Sequence, residues 1–559
     1  MSKNHMSGTK ARAAWNIRGK GFLLLSVVFL ASVACLNTAW LIDHEEKRAS
    51  ARKYPIIPRP SMMEPKQGYF MANENTRVLV DAAGGNETAL LDIGNYIAGK
   101  VGVSLNCTIT VAALTVPGSL ENVILLELSP ADTRLGLEGY TMDVTQSGIV
   151  IAGFQPAGVF YGIQTLLQIF PPEVAAGLSL GHSSTGCTVP CVTIRDVPRF
   201  SYRGMHLDVS RHFFPVAFIK RYIDLLAMYK LNTFHWHLTD DQGWRIEIDA
   251  YPLLTQVGAY RPGEDGGFYS KEEVQEILEH ARQRHVTIIP EIEMPGHSSA
   301  ARASYPALGC TGGPSDQAFC AGKEATFTFL DAVLAEVIDM FPGRLIHVGG
   351  DECSKDSWHG CPDCQARMVA EGLANEEELQ GYFIRRIAGF IASQGREMVG
   401  WNEIMQGGLA ENATVMAWNS WGAAIDAARA GHPVVMTPTG YCYFDYYQAD
   451  PETEPLAIGG YTPLVKVYHY EPVPVELDDE EAKLIIGTQA NVWAEYISTP
   501  EHAEYMCLPR MCALAEVAWS PRDGKDWETF KERVVTQFGM LDLLGVNYCT
   551  TTLNADPAF

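Results

Sequence analysis

The sequence predicts an α/β protein in which a (β/α)8 barrel follows a smaller α+β domain. A unit made of an apolar strand, a polar and aromatic strand end and an amphipathic helix occurs eight times in about 320 residues. The strands are almost continuously apolar, as expected of parallel strands buried on both faces. The unusual side chains stand at the strand ends, where barrel proteins place their sites. An open doubly wound sheet is the alternative, but the GxGxxG loop expected after an early strand is missing.

The amino-terminal segment predicts export. Five lysines and arginines within the first 20 residues precede a charge-free run of 22 residues at 21–42. This is typical of a secretory signal, and the run is also long enough to remain as a membrane anchor. Cys35, in ASVAC at 31–35, leaves lipidation as a third alternative. We therefore expect residues 1–45 to be a signal peptide or anchor and the remainder to be periplasmic, secreted or membrane-anchored outside the cytosol.

The charged stretch 43–53 predicts a polar linker, which the domain boundaries place at 46–60. The α+β domain is expected at 61–196, with strands in 76–82, 122–128 and 139–153 and helices in 87–102 and 157–170. Its strand ends carry few acids, histidines or aromatic residues, so a supporting role is expected.

The barrel is expected at 197–520, and residues 521–559 are expected to form an extension packed on it. Its strands are predicted in 201–209, 232–241, 286–297, 344–352, 397–404, 414–420, 433–447 and 484–496. Helical spacing of apolar residues follows several of them, at 215–229, 271–284 and 325–341.

The charge of the chain limits its partners. Its net charge is −24, which disfavours nucleic acid and favours a neutral or cationic substrate. A hydrophobic fraction of 47% indicates a large packed core.

The stretch RLIHVGGDE ends a predicted buried strand with two adjacent acids, Asp351 and Glu352. If the two share a site, their mutual repulsion should raise one pKa. Gly349 and Gly350 permit a bend and the close approach of a ligand. Glycoside hydrolysis needs a proton donor with a raised pKa. Two carboxylates one residue apart are poorly placed to act from opposite faces of a sugar ring. We therefore expect Glu352 to donate the proton and Asp351 to bind part of the substrate.

The strand ends together predict a carbohydrate pocket, because aromatic rings stack on sugar rings while carboxylates and arginine bind hydroxyls. The residues are Arg203, His235, His237, Asp240, His297, Asp351, Glu352, Trp401, Glu403, Trp418, Tyr443, Asp445, Trp493 and Glu495. One alternative is a metal-dependent barrel hydrolase that uses His235, His237, Asp240 and His297 as ligands. A second is a catalytically inactive sugar-binding barrel, which would be expected to have lost Asp351, Glu352 or Tyr443.

The chain has 13 cysteines, an odd number, and Cys35 is the natural leftover. Cys310 and Cys320 bracket a loop, and CPDC at 361–364 resembles half of a zinc site. Because a second such pair is not apparent, disulfides or free thiols are favoured over zinc.

Six motifs, FHWHLTDDQGWR, PEIEMPGH, HVGGDE, WNE, CYFDYYQ and ANVWAEY, resemble glycoside hydrolase family 20 in order, over residues 200–520. Residues 55–196 resemble that family's accessory domain. The resemblance implies a β-N-acetylhexosaminidase that acts on N-acetylhexosamine-terminated oligosaccharides or glycoconjugates, with no cofactor and no metal. It leaves the choice between glucosamine and galactosamine open, as well as the oligomeric state.

The resemblance also implies substrate-assisted retention, in which the substrate's acetamido oxygen is the nucleophile. Asp351 would orient the acetamido nitrogen, and Glu352 would act as general acid and then base. The remaining roles are Tyr443 on the acetamido oxygen, Trp401, Trp418 and Trp493 as walls, Arg203, Asp445 and Glu495 on hydroxyls, and Asp240 with His297 as a relay to Glu352. For Trp421 and for Glu403, a role in binding and a purely structural role are equally expected.

Overall fold

The computed structural model describes residues 43–81, 85–114, 121–181, 186–261 and 266–556. The expectations for residues 1–42, a signal, an anchor or lipidation, lie outside the described residues. Within the described ranges, no helix is both long and apolar enough to cross a membrane.

The first domain is built on a seven-stranded sheet in the order β1-β7-β5-β6-β4-β2-β3. Its strands are β1 (Met62–Ala72), β2 (Arg77–Asp81), β3 (Thr110–Ala113), β4 (Val123–Leu128), β5 (Tyr140–Val144), β6 (Gly148–Gly153) and β7 (Cys187–Asp196). Strands β6, β4, β2 and β3 pair in parallel, while β1, β7, β5 and β6 pair antiparallel. Its helices are Glu87–Leu105, Pro156–Ile169 and Pro172–Ala176. The sequence predicted β2, β4, β5 and β6 but missed β1, β3 and β7.

The second domain is a closed barrel of eight parallel strands, which confirms the predicted fold class. The strands are β8 (Tyr202–Asp208), β9 (Thr233–His237), β10 (Thr287–Glu291), β11 (Leu345–His347), β12 (Glu397–Trp401), β13 (Thr414–Ala417), β14 (Val434–Met436) and β15 (Ile485–Ala490). Each lies inside a stretch predicted as a strand. Six apolar side chains, Tyr202, Ile289, Val399, Trp401, Met416 and Val435, form a separate core inside the barrel.

The helices of the second domain surround this barrel. They are Val216–Met228, Leu253–Gln256, Lys271–Gln283, Ser299–Ser304, Glu324–Met340, Asp356–His359, Pro362–Glu371, Glu376–Ser393, Trp421–Arg429, Thr439–Cys442, Leu464–His469, Pro500–Cys507, Arg510–Trp519 and Trp527–Leu544. The helix Lys271–Gln283 shows why such segments form: Ser270 and Glu273 make a capping box at its start. Val274, Ile277 and Ala281 bury one face, at the spacing of an amphipathic helix.

Residues 43–53 form a helix and not the expected polar linker. Arg48 and Arg52 of this segment donate hydrogen bonds to Glu528 at 2.9 Å and Glu532 at 3.2 Å on the carboxyl-terminal helix. That helix also reaches residues 55 and 56, because Gln537 donates to the Pro55 carbonyl at 2.6 Å and Arg533 donates to the Ile56 carbonyl at 2.9 Å. The carboxyl-terminal extension therefore packs on the amino-terminal segment. It also contacts the barrel domain, where the Leu464 backbone nitrogen donates to Thr552 Oγ1 at 2.9 Å.

Buried ion pairs join the two domains. Both terminal nitrogens of Arg203 bind Glu138, at 2.7 and 3.0 Å. Lys230 Nζ lies 3.0 Å from Asp196 Oδ2. The Trp519 ring lies beneath both cations, with 4.8 Å to the Arg203 guanidinium and 4.7 Å to Lys230 Nζ. Because the side chains of Arg203, Lys230 and Asp196 are all fully buried, each charge depends on a partner in the other domain.

Candidate active site

A cavity of about 300 Å³ lies at the carboxyl ends of the barrel strands. Ten of the eleven residues predicted for the site line it: Asp240, His297, Asp351, Glu352, Trp401, Trp418, Tyr443, Asp445, Trp493 and Glu495. The sequence analysis did not anticipate Arg211, Tyr446, Ile458, Gly459 and Gly460, which also line it.

Asp351 and Glu352 follow β11 through a sharp backbone bend. Gly349 and Gly350 have φ angles of 66° and 97°, a region that glycine adopts easily. A Cβ at Gly349 would lie 1.8 Å from Glu293 Oε2, so a side chain there has no room. The bend buries Asp351, which is 8% exposed, and leaves the Glu352 side chain 60% exposed. The two adjacent acids are therefore placed in different environments.

These environments separate the pKa values of Asp351 and Glu352, but in the direction opposite to the one expected from the sequence. Burial raises the pKa of Asp351 to about 7, with Glu291 and Glu403 adding to the effect. A hydrogen bond with His297 lowers the pKa of Glu352. The raised pKa of the pair therefore belongs to Asp351 in the free enzyme, although Glu352 was predicted to have it.

His297 connects the pair to a buried relay. Its Nε2 lies 3.5 Å from Asp351 Oδ2 and 3.6 Å from Glu352 Oε2, while its Nδ1 lies 3.2 Å from Asp240 Oδ1. Burial lowers the pKa of His297, but the contacts with Asp240, Asp241 and Glu352 outweigh it and raise that pKa well above the usual histidine range. The predicted neighbours Asp240 and His297 are thus in contact, and the imidazole is a cation facing two carboxyls.

The relay continues into the barrel through residues that the sequence analysis did not place in it. His237 Nε2 lies 2.9 Å from Asp240 Oδ2, and its Nδ1 contacts Glu291. Glu291 also accepts hydrogen bonds from Trp401 Nε1 at 2.9 Å and lies 2.7 Å from His347 Nδ1. Burial lowers the pKa of His237, yet these two carboxylates raise it to about 10. An acid at the end of the apolar strand TIIPE was the available signal for Glu291.

Aromatic rings form the walls of the cavity. Trp401 and Trp493 lie 5.8 Å apart, and Trp418 stacks on Tyr443 with 6.1 Å between ring centres. Trp418 Nε1 donates to Glu403 Oε2 at 3.0 Å, which gives Glu403 a positioning contact with the wall. Trp421 does not line the cavity; its ring contacts Tyr470.

Arg211 occupies the place that was predicted for Arg203. Its guanidinium nitrogens lie 2.9 Å from Asp208, 2.9 Å from Asp240 and 3.6 Å from Glu495. The prediction that Arg203 holds sugar was wrong. Arg203 lies at the start of β8, away from the carboxyl ends of the strands, and forms an ion pair with Glu138. Burial raises the pKa of Asp445 and that of Glu495, against the opposing charge of Arg211. A single cation, Arg211, therefore lies among several acids on this side of the cavity.

The arrangement of the histidines does not favour the metal-dependent alternative. Gln489 Nε2 lies 3.0 Å from His235 Nδ1, and His235 Nε2 lies 3.1 Å from Glu291. Among the described residues, no three of His235, His237, Asp240 and His297 bring ligand atoms within 4.8 Å of one another. Carboxylates and an amide already use the ring nitrogens of His235 and His237.

Paired acids and aromatic walls at the carboxyl end of a parallel barrel define a carbohydrate-cleaving hydrolase, a class confirmed by comparison with known proteins. The chain belongs to glycosyl hydrolase family 20: residues 200–522 match its catalytic domain and residues 53–197 match its domain 2. The resemblance seen in the six motifs is therefore confirmed, and the protein is a glycoside hydrolase.

The chain is similar to a beta-hexosaminidase of Porphyromonas gingivalis, with 42% identity over 542 residues that cover 93% of this chain and 68% of that protein. It is 38% identical to a beta-hexosaminidase of Vibrio furnissii, over 67% of this chain and 64% of that protein. The chain thus spans about two thirds of these relatives. The structure of the GH20 beta-N-acetylhexosaminidase from Streptomyces coelicolor A3(2) has a TM-score of 0.78 and 31% identity, covering 89% of this chain and 98% of that one.

Proposed function

We propose that the protein is a retaining exo-β-N-acetylhexosaminidase that removes terminal non-reducing β-linked N-acetylglucosamine or N-acetylgalactosamine. The observation that carries this proposal is that Nε2 of one cationic histidine, His297, faces both a buried Asp351 at 3.5 Å and an exposed Glu352 at 3.6 Å. Relatives named beta-hexosaminidase and a Vibrio harveyi structure described as a complex with N-acetylglucosamine support the substrate class.

The exo mode of action is supported by the size of the cavity. Its volume of about 300 Å³ is at the lower end of the range of small-molecule pockets and suits one amino sugar. Trp401, Trp418 and Trp493 would enclose the acetamido group, and the Tyr443 hydroxyl would donate to its carbonyl oxygen. Burial raises the pKa of Tyr443 well above its usual value, which keeps the hydroxyl protonated.

The reaction needs one proton on the Asp351–Glu352 pair. An acetamido N–H that donates to Asp351 favours its ionised form, so the proton of the pair moves to Glu352 as substrate binds. Glu352 then protonates the leaving oxygen while the acetamido oxygen attacks the anomeric carbon. Asp351 stabilises the positive charge of the oxazolinium ion, and Glu352 takes a proton from the water that opens it.

The charged residues on the other side of the cavity would hold the sugar. Asp445 and Glu495 accept from hydroxyl groups, and Arg211 donates to them and keeps Asp240 ionised. His297 and Asp240 are positioning residues for Glu352, because the cationic imidazole attracts both acids toward the same point.

The experiment compares 4-nitrophenyl N-acetyl-β-glucosaminide with 4-nitrophenyl β-glucoside, which lacks the amide. We expect cleavage of the amide substrate to be at least about 1,000-fold faster, because effective molarities of oriented internal groups are very large. A thiazoline mimic of the cyclic intermediate should inhibit competitively. Equal rates on the two glycosides would contradict the mechanism. Comparison with 4-nitrophenyl N-acetyl-β-galactosaminide identifies the preferred amino sugar.

The alternative of an inactive sugar-binding barrel predicts binding of N-acetylglucosamine without turnover of either glycoside. The retention of Asp351, Glu352 and Tyr443 around one cavity argues against it.

We also propose that the protein is exported and acts outside the cytosol on glycan ends, held at a membrane if residues 21–42 are retained. The support is the basic flank and the charge-free run of 22 residues. Fractionation of cells, followed by mass spectrometry of the mature amino terminus, tests this. Full-length protein in the cytosolic fraction would contradict it.

A further inference from the structure

Four cysteine side chains converge outside the active site. Cys310 Sγ lies 3.8 Å from Cys364 Sγ, and Cys320 Sγ lies 3.7 Å from Cys361 Sγ and 3.6 Å from Cys364 Sγ. All four sulfur atoms lie within 4.8 Å of one another. None of them lines the catalytic cavity. The sequence analysis favoured disulfides or free thiols because it did not join the pair at 310 and 320 to the CPDC pair.

These spacings are those of a sulfur tetrahedron around a metal ion. Four sulfurs at the Zn–S distance of about 2.3 Å stand about 3.8 Å apart along each edge of a tetrahedron. A disulfide would instead bring two sulfurs to about 2.0 Å. Cys320 is almost equally distant from Cys361 and Cys364, whereas disulfide pairing would select one of them. The arrangement therefore fits one shared ion better than two bonds.

The surrounding structure is suited to thiolates. Cys361 is the N-cap of the helix Pro362–Glu371, and Cys364 lies in its first turn, where backbone N–H groups and the helix dipole stabilise negative charge. Cys320, Cys361 and Cys364 are buried. Lys323 Nζ donates to the Gly309 carbonyl at 2.6 Å, which places a cation beside the loop of Cys310.

The loop 310–320 is held in shape by its own contacts. Asp316 accepts hydrogen bonds from the backbone nitrogens of Thr311 and Gly312, both at 3.0 Å. Trp358 Nε1 donates to the Phe319 carbonyl at 2.9 Å and so joins this loop to the segment before Cys361. Both cysteine pairs are thus presented on ordered backbone.

From this geometry we propose that Cys310, Cys320, Cys361 and Cys364 bind a structural zinc ion. The first pair follows His297 along the chain, and the second pair follows Glu352. The ion would therefore link the segment that follows His297 to the segment that follows Glu352. It takes no part in bond cleavage, since all four ligands are protein thiolates and a closed site of this kind has no open position.

The test is metal analysis of the protein purified without added metal or chelator. We expect about one zinc per chain by mass spectrometry of metals, and a zinc X-ray absorption spectrum that shows sulfur ligands only. Cys364→Ser and Cys320→Ser should each reduce the zinc content, and Cys187→Ser, a change at a buried cysteine of the first domain, should leave it unchanged. Because a variant that fails to fold would also lose zinc, cobalt loading of the wild-type protein provides a second measurement, with the visible absorption of tetrahedral cobalt thiolate expected.

Two results would overturn the proposal. One is a chain without zinc whose mass shows two disulfides among these four cysteines. The other is four thiols that react freely with a thiol reagent in the native protein and bind no cobalt. Neither result bears on the glycosidase mechanism, because the zinc ligands are separate from the cavity.

Discussion

Replacement of Asp351 by asparagine tests the mechanism most directly. The change keeps the size of the side chain and leaves an oxygen that can accept from the acetamido N–H. It removes only the negative charge beneath the positive charge that develops in the oxazolinium ion. Ground-state binding should therefore persist while the chemical step is lost.

The size of the effect follows from the cost of the buried charge. Moving an aspartate pKa from 3.8 to about 7 corresponds to roughly 4 kcal/mol that disfavour the charged form in the free enzyme. A positive charge at the same place recovers much of that energy. Loss of one preorganised electrostatic group costs about 3–4 kcal/mol in other enzymes. We expect kcat to fall about 100- to 1,000-fold, with KM changed less than about fivefold.

The assay is steady-state hydrolysis of 4-nitrophenyl N-acetyl-β-glucosaminide. Asp339→Asn is the matched control, because it removes one carboxylate from an exposed position on the helix Glu324–Met340. A kcat of the Asp351 variant within tenfold of the wild type would refute the reasoning. So would an equal loss in the control.

Four further predictions concern the proton donor, its pH dependence and two arginines. Glu352→Gln should lose most activity on substrates with poor leaving groups and less on 4-nitrophenyl glycosides, which a leaving-group series measures; an equal loss across the series would count against proton donation. In the wild type, kcat/KM should fall as the pH rises through about 7, because the pair loses its one proton with the raised pKa of Asp351. The acid limb of the profile should lie below the ordinary glutamate pKa of 4.5, because His297 lowers the pKa of Glu352. A pH profile of kcat/KM, measured at low substrate concentration, tests both limbs. An alkaline limb that stays in place in the Asp351→Asn variant would contradict this assignment. Arg211→Gln should reduce kcat/KM about 10- to 100-fold, because it removes charged hydrogen bonds at the cavity, and should also lower the melting temperature, because the buried Asp208 and Asp240 lose their cation. Arg203→Gln should lower stability, measured by urea unfolding, by about 3 kcal/mol, because the partly buried Glu138 loses its cationic partner, and should leave kcat/KM of the folded protein unchanged. Loss of activity in a fully stable Arg203 variant would instead place Arg203 in the site.

The sequence was sufficient for the barrel because each strand carries its own local signal. The run RLIHVGGDE combines a buried apolar segment with glycines and acids, and the structure places β11 and the bend within it. Strands β1 and β7 were missed because their pairing is antiparallel and non-local, and because Pro65 and Pro190 interrupt the apolar pattern.

Side-chain direction is what the sequence could not provide at the site. Arg203 and Arg211 are both near β8, and only the three-dimensional structure shows that one contacts the first domain and the other the cavity. The division of pKa between Asp351 and Glu352 depends on burial and on His297, which lies more than 50 residues away in the chain. The four cysteines likewise come from two segments whose meeting is set by the fold.

The contacts of Arg203 and Lys230 have a practical consequence for dissecting the protein. A barrel produced without the first domain would keep Arg203 and Lys230 but would lack Glu138 and Asp196, the acids that pair with them. Such a fragment should misfold or aggregate, even though it contains every group needed for bond cleavage. Truncation at the boundary between the domains is therefore a poor route to a smaller catalyst, and shortened versions should retain the sheet that carries Glu138 and Asp196.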